Sequence, residues 1–265
     1  MNSVPVFRRS IRESWRGLIG WSLGLTALLL LYLPLYASFG TDGQLQAIID
    51  ALPKGLTQTI GYDQISTGAG YAQSTFYGMT GFVLTTIVAV IWGSAAIASA
   101  EESGRLEMDL AHDISRTQYV LEQALALLVR LLWLGIFSGL VVWVLNEPAG
   151  LGIHPAHIIG ATAALTGLAF LTSSVALLAG SMTGRRAWAS GAAASLAVFS
   201  YVFQAVAKQT ADLEWLNAIS PFAWVYRQSP LLDGVDVGGL ALVWALAALC
   251  VGASVATLRR RDISG

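Results

Sequence analysis

Residues 101–118, EESGRLEMDLAHDISRTQ, hold five acidic residues, two arginines and a histidine. The chain is uncharged from Gln64 to Ala100 just before this stretch, and it becomes apolar again within a few residues after it. A charged insert between two long apolar segments indicates a loop that leaves a membrane between two spanning helices.

The composition of the whole chain agrees with this interpretation. Of its 265 residues, 55% are hydrophobic and only 12% are charged, whereas about 25% of the residues of a soluble domain are charged. The single cysteine, Cys250, lies in an apolar run and has no second cysteine with which to form an internal disulfide.

Six segments are long and apolar enough to cross the ~30 Å hydrocarbon core of a bilayer. The predicted fold class is therefore an all-α integral membrane protein with six transmembrane helices. The first segment is too long for a typical signal-peptide core, so we interpret it as a retained anchor. The six spans are approximately 17–39, 74–100, 119–145, 156–182, 187–207 and 237–258.

Lysine and arginine are distributed unequally between the two sides that these spans define. One side holds eleven of them and the other holds three, and short cytoplasmic loops carry the excess of positive charge. Both termini are therefore predicted to be cytoplasmic. The eleven are Arg8, Arg9, Arg12, Arg16, Arg105, Arg116, Arg185, Arg186, Arg259, Arg260 and Arg261; the three are Lys54, Lys208 and Arg227.

The basic segment before the first span has helical periodicity. Apolar residues recur at helical spacing over residues 4–18, and four arginines lie between them. This pattern predicts an amphipathic helix in the cytoplasmic interface, with Trp15 at headgroup depth. The alternative is an ordinary positive flank that only sets the topology.

The opening stretch also has helical periodicity. Leu106, Leu110 and Ile114 are four residues apart and form an apolar ridge, with Ser103 as a candidate N-cap. Ser115 begins an S-x-x-Q capping box that opens the third span. Because the net charge is acidic, binding to anionic lipid is disfavoured, and we expect the ridge to dock into another protein.

Arg130 lies near the middle of the third predicted span, and Glu122 lies eight residues earlier on about the same face. A charge at the centre of a membrane helix costs roughly 2.5–3.5 kcal/mol on insertion scales unless it faces protein or water. Arg130 and Glu122 are therefore candidates for a polar translocation path. The alternative is a structural pairing of Arg130 with a neighbouring span.

Glycines spaced four residues apart occur in two spans, as Gly20 with Gly24 and Gly135 with Gly139. Such pairs allow close approach of helix backbones in lipid. The approach serves either packing within one chain or a seam between two copies, and the sequence leaves both open.

No pattern for catalysis on this chain is specific. There is no Walker A loop, and the G-x-S-x-G match at 20–24 lies inside a membrane span rather than at a strand–helix turn. His154 and His157, near Glu147, do not make a closed metal site. We expect no catalytic residue, cofactor or metal on this chain and no nucleic-acid partner. Membrane lipid is expected to surround the spans.

The ordered set of segments resembles the membrane subunit of type-2 ATP-binding-cassette (ABC) transporters, the six-span half-permease. Three places carry the resemblance: EESGRLEMDLAHDISRTQYVL after the second span, Ile219-Ser220-Pro221-Phe222 before the last span, and Arg259-Arg260-Arg261-Asp262-Ile263 with the basic N-terminal helix. The resemblance extends over essentially the whole chain. One departure is Asp113, which stands where the family often has proline.

The resemblance implies an arrangement in which 1–16 form a cytoplasmic connecting helix, 17–258 the six-span domain, and 259–265 a basic tail. Residues 103–114 would be the coupling helix that inserts into a separate nucleotide-binding subunit, which binds ATP and magnesium and hydrolyses the ATP. A second permease half, identical or a sister chain, would complete the path. The coupling residues would be Glu102, Arg105, Leu106, Glu107, Leu110, Ile114 and Arg116.

The sequence prediction is thus a non-enzymatic permease subunit of an ATP-driven exporter in the plasma membrane, moving a hydrophobic or amphipathic, drug- or lipid-like substrate. One alternative is a secondary carrier that uses Arg130 and Glu122. A second is a non-transporting membrane scaffold that recruits a cytoplasmic protein.

Overall fold

The structure is a computed structural model that describes residues 4–39, 65–111 and 114–261. Within these ranges every regular element is a helix. In chain order the α-helices are α1 (Pro5–Phe39), α2 (Gly68–Ala72), α3 (Gly81–Ala96), α4 (Ala98–Glu102), α5 (Arg105–Leu110), α6 (Arg116–Asn146), α7 (Pro155–Thr183), α8 (Arg186–Ala207), α9 (Pro221–Tyr226) and α10 (Val237–Arg260). A π-helix, Gln73–Thr80, joins α2 to α3, and a 3₁₀ helix, Ala211–Ile219, precedes α9.

The described residues contain six helical segments long and apolar enough to cross a membrane. Each predicted span overlaps one of them, so the all-helical, six-span fold class is confirmed. The six segments are α1, the continuous run Gly68–Ala96, α6, α7, α8 and α10.

Helix α7 is the centre of the bundle. It is the most buried of the six spans, and it packs against the second, third, fifth and sixth. Gly135 and Gly139 of α6 lie directly against Thr166 and Thr162 of α7, where a Cβ atom would overlap the threonine side chains. This glycine pair therefore serves packing within the chain, which resolves one of the alternatives that the sequence left open.

Helix α1 differs from the prediction of a separate interfacial helix over 4–18. It is one continuous helix of 35 residues, about 52 Å long at 1.5 Å per residue. Pro5 is the first residue of the helix, where proline is tolerated, and no proline or C-cap follows it before residue 18. The isolated Gly17 does not end a helix flanked by strong helix formers. The basic segment and the first predicted span are thus parts of one continuous helix rather than two separate elements.

Of the two predicted caps, the one at Ser115 is confirmed and the one at Ser103 is wrong. The Ser115 hydroxyl accepts from the Gln118 backbone N–H at 3.1 Å, and the Ser220 hydroxyl caps α9 by accepting from the Ala223 N–H at 3.0 Å. Ser103 does not cap α5, because its hydroxyl donates back to the Ser99 carbonyl at 2.8 Å. The residue before α5 is Gly104, whose positive φ of 69° makes the turn from α4.

The second span contains the eight-residue π-helix, which the sequence did not predict. Tertiary hydrogen bonds accompany the wider turns: Gln73 Oε1 accepts from the Leu231 N–H at 3.1 Å, and the hydroxyl oxygens of Tyr77 and Thr162 are 3.3 Å apart. These partners are far away in the sequence. The departure from α-helical geometry is therefore tied to the tertiary fold.

Candidate functional site

The segment that links the second and third spans lies at the end of the bundle that also holds the beginning of α1 and the end of α10. We call α4, the turn at Gly104 and α5 the linker segment (residues 98–110). Side-chain contacts join the linker segment to both of these helix ends, as described below. Two spans separate the start of α1 from the linker segment, and four separate the linker segment from the end of α10. Because both numbers are even, the three parts lie at the same end of the bundle.

The predicted apolar ridge faces into the protein. Leu106 is 0% exposed and belongs to the main core, and Leu110 and Ile114 are half-buried against that core. In this structure the ridge therefore packs against the chain's own core, whereas the sequence suggested that it would face a partner. Burial in the chain's own core removes the same apolar surface from water and needs no partner.

The opposite side of the linker segment faces outward. Glu102 and Ser103 are exposed at the end of α4, and Glu107, Met108 and Ala111 are exposed along α5 and just after it. Met108 is 60% exposed, which makes it the large apolar side chain that the linker segment presents. We call these five residues the outer face.

Asp109 ties α5 to α1. Arg9 donates two parallel hydrogen bonds to the Asp109 carboxylate, at 2.6 and 2.5 Å, and Asp109 is buried. Such a bidentate pair fixes orientation as well as distance. Asp109 was absent from the predicted site residues. The sequence does place four acidic residues in the linker segment, any of which could pair with the basic N-terminal helix, and nothing in it selects Asp109.

The two glutamates of α4 hold the other side of the linker segment. Arg261, directly after α10, forms an ion pair with Glu101 and donates to the Ser181 carbonyl at 2.9 Å. Glu102 Oε1 accepts from the backbone N–H of Arg186 at 2.7 Å, which places a carboxylate at the N-terminus of α8. The linker segment is thereby connected to α8 and α10 as well as to α1.

The remaining predicted basic residues also have defined positions. Arg116 donates to the carbonyls of Leu258 and Arg261, at 3.1 and 2.5 Å, and so joins the start of α6 to the end of α10. Arg105 points towards α1, with its Nη1 3.8 Å from Glu13 Oε2. Asp113 lies outside the described residues.

Glu122 and Arg130 are both buried, but they are not a pair. Glu122, 4% exposed, accepts from the backbone N–H of Phe7 at 2.9 Å and from Gln118 Nε2 at 2.7 Å. It therefore accepts a hydrogen bond from a backbone N–H in the first turn of α1. The negative carboxylate is also stabilised there by the positive end of the helix dipole. Arg130, 6% exposed, donates from Nε to the carbonyl of Ala126 in its own helix at 2.9 Å.

The two histidines at the opposite end have structural partners. The Nδ1 atom of His154 accepts from the Ala156 N–H at 3.3 Å at the start of α7, and Nδ1 of His157 is 3.1 Å from the Leu231 carbonyl. In the described part of the chain, no group of three or more His, Cys, Asp or Glu residues is arranged to hold a metal ion.

Comparison with protein families decides which kind of membrane protein has this architecture. Residues 4–262 match the model of the family described as ABC-2 family transporter protein. The chain belongs to the ABC-2 transporter family. It is therefore a membrane permease component of an ABC transporter, and membership implies association with an ATP-binding subunit. The comparison with curated proteins found no match.

The Arg9–Asp109 pair gives the first testable prediction for this permease. We expect Asp109→Asn to lower the free energy of unfolding by about 1–3 kcal/mol, because it removes the charge from a buried hydrogen-bonded pair. The matched control is Glu107→Gln, the same change at an exposed position of α5, which should stay within about 0.5 kcal/mol of wild type. Thermal unfolding of the purified permease in detergent measures both, and equal shifts would contradict a structural role for the pair.

Proposed function

We propose that this permease belongs to an ATP-driven exporter and receives the movement of a separate nucleotide-binding subunit through the outer face. The partner would bind ATP and magnesium, and the permease itself would carry no cofactor. Two permease halves, identical or sister chains, would enclose the path. The protein would lie in the plasma membrane with both termini in the cytoplasm.

The observation that carries this proposal is the two-sidedness of the linker segment. Its outer face offers Glu107 and Met108 to a partner, while Asp109, Glu101 and Glu102 attach the segment to three long helices. A surface of this kind both contacts a partner and is anchored to the spans that must move. Leu106, Leu110 and Ile114 then fix the segment to the core instead of contacting the partner.

The proposed mechanism follows from these attachments. Displacement of α5 by the partner would pull on α1 through Arg9 and on α10 through Arg261, and it would carry α6 along, since α6 begins shortly after α5. Coupling of this kind requires a conformational difference that both the partner and the spans share. The ion pairs make the linker segment one connected body with the ends of those helices.

The distribution of basic residues supports the proposed orientation. The N-terminal turns of α1, the linker segment and the end of α10 are joined by the contacts of Arg9, Arg116 and Arg261, all of which belong to the predicted basic side. Because cytoplasmic loops carry the excess of lysine and arginine, this end of the bundle is the one that we place in the cytoplasm.

Two apolar grooves support a hydrophobic or amphipathic substrate. One, of about 470 Å³, lies between the second span and α8; the other, of about 490 Å³, lies among α6, α7 and α10. Apolar surface of this size suits drug-like molecules or lipid tails. The first is lined by residues that include Phe82, Ile87, Val198 and Tyr201, and the second by residues that include Ile136, Trp143, Ile158 and Trp244.

The two alternatives have less support. A secondary carrier built on Arg130 and Glu122 needs these groups to act together, yet Glu122 holds the start of α1 and Arg130 bonds within α6. A scaffold that only recruits a protein would use the same outer face. It would not need bound ATPase activity, so the experiment below separates it from the exporter.

The test replaces Met108, the exposed apolar side chain of the outer face, with aspartate. Tagged permease is purified from its native membrane, a retained Walker A protein is identified by mass spectrometry, and its ATP hydrolysis is measured. We expect Met108→Asp to reduce recovery of that subunit and its ATPase activity roughly tenfold or more, the loss typical of a central interface side chain.

The control is Met182→Asp, the same substitution at a methionine near the end of α7. Met182 is 58% exposed, against 60% for Met108, but it lies outside the linker segment. The control should keep both the subunit and the activity. Full recovery of an active Walker A subunit with Met108→Asp would overturn the proposed docking, and a retained partner without ATP hydrolysis in the wild type would favour the scaffold.

A further inference from the structure

A polar cavity of about 170 Å³ lies beside the linker segment, between the first part of α1, the end of α3 and α6. It is separate from the outer face and from both apolar grooves. Its lining includes Arg9, Glu13, Ser14, Trp92, Arg105 and Arg130.

The charges around this cavity are unbalanced. Three arginines and one carboxylate, Glu13, line it, and Arg9 is already paired with Asp109. Glu13 lies 3.8 Å from both Arg9 Nε and Arg105 Nη1, beyond hydrogen-bonding distance. Among the described residues, no carboxylate oxygen lies within 4.0 Å of the Arg130 guanidinium. The cavity therefore carries an excess of positive charge.

The arginine side chains also have hydrogen-bonding capacity to spare. Arg130 makes one hydrogen bond, from Nε to Ala126, and its guanidinium carbon lies 5.0 Å from the centre of the Trp92 ring. No protein group in the described ranges accepts from its Nη atoms. Arg105 Nε is also buried, and no hydrogen-bond partner for it lies among the described residues. A guanidinium remains charged in proteins, and burying one without a partner is costly.

We propose that this cavity binds a phosphate group, supplied by the headgroup of an anionic phospholipid. The planar guanidinium groups of Arg130 and Arg105 are suited to bidentate contact with phosphate oxygens, and Ser14 adds a hydroxyl. The cavity volume of about 170 Å³ is several times the roughly 30 Å³ that one water molecule occupies in the liquid, so a phosphate group fits.

The surroundings of the cavity favour a lipid as the source of the phosphate. Next to it, α1 exposes Trp15, Ile19 and Leu23, an apolar face that acyl chains cover in a bilayer. Basic pockets between membrane helices on the cytoplasmic side bind anionic headgroups, because their charges are complementary. The headgroup would thus bridge α1, α6 and the linker segment. The proposed lipid site requires no ATPase partner, so the test of lipid binding is independent of the test of the proposed function.

The experiment measures lipid binding to the full-length purified permease by native mass spectrometry. Three probes are compared: dioctanoyl-phosphatidylglycerol, dioctanoylglycerol, which has the same chains without phosphate, and inorganic phosphate. We expect phosphatidylglycerol to bind and dioctanoylglycerol to bind far more weakly. Inorganic phosphate that displaces the lipid would show that the phosphate group is what the cavity recognises; binding of inorganic phosphate alone would assign the same site to the free anion.

Variants locate the binding. Arg130→Gln and Arg105→Gln should each weaken phosphatidylglycerol binding roughly tenfold or more, as expected for the loss of charge-assisted hydrogen bonds. The control is Arg260→Gln, which removes an exposed arginine at the same end of the bundle, outside the cavity, and should leave affinity unchanged. Ala95→Leu keeps every arginine but fills the cavity, so it should exclude the headgroup as well.

Three results would overturn the proposal. Equal binding of phosphatidylglycerol and dioctanoylglycerol would show that only the chains are recognised. Equal losses with Arg130→Gln and Arg260→Gln would indicate diffuse surface charge. Unchanged binding to folded Ala95→Leu would place the headgroup elsewhere. If Arg130→Gln does not fold, Arg105→Gln and Ala95→Leu still decide the question.

Discussion

Replacing Gly239 with alanine is expected to prevent accumulation of folded permease. Gly239 lies in the first turn of α10, where a Cβ atom would be 2.6 Å from the carbonyl carbon of Trp224 and closer still to its oxygen. That neighbour is backbone rather than the end of a flexible side chain, so α10 must separate from α9. We expect a destabilisation of about 3 kcal/mol or more, the upper range for overpacking.

The matched control lies in the same helix. Gly252 has open space around its Cα, so Gly252→Ala should leave stability unchanged or raise it by up to about 1 kcal/mol, the helix preference of alanine over glycine. Size-exclusion profiles and thermal unfolding in detergent compare the two variants. Equal stability of Gly239→Ala and Gly252→Ala would show that α9 and α10 do not pack as described.

The second large effect is expected for Leu106→Asp, which should abolish folding rather than only partner binding. Leu106 is 0% exposed, and an unpaired carboxylate at such a position costs several kcal/mol. Met108→Asp, two residues away on the exposed side of α5, should unfold at the wild-type temperature. Thermal unfolding of both variants without any partner measures the difference directly.

This comparison separates the two possible orientations of α5. An inward ridge makes Leu106→Asp the unstable variant and leaves Met108→Asp stable but uncoupled. If Leu106→Asp instead folds normally and loses only its ATPase partner, the ridge is the docking surface that the sequence suggested. No stability difference between the two variants would likewise contradict the inward orientation.

The positions of the spans could be predicted because each is determined by local composition. About 20 apolar residues suffice to cross the hydrocarbon core, and each such segment can be recognised without knowledge of the rest of the fold. The cap at Ser115 was equally predictable, because a serine directly before a helical segment accepts from a backbone N–H only three positions further on. The break expected between residues 4–18 and the first span did not occur, because no stop signal lies between them.

The pairing of charged residues could not be predicted, because the partners are distant in the chain. Arg9 and Asp109 are separated by 100 positions, and Glu101 and Arg261 by 160. Spacing along α6 suggested that Glu122 and Arg130 act together, yet Glu122 is occupied by a backbone donor of α1. Each choice of partner depends on which helices are neighbours.

The sequence by itself determined six spans, the segregation of basic residues to one side and an amphipathic linker between the second and third spans. Only the tertiary structure decided which face of that linker is covered. A helical period shows that one face is apolar, but an apolar ridge is stabilised equally by a partner's groove and by the chain's own core. The packing of α5 against the bundle determines which face is covered. It buries Leu106, leaves Met108 exposed and places Asp109 beside Arg9.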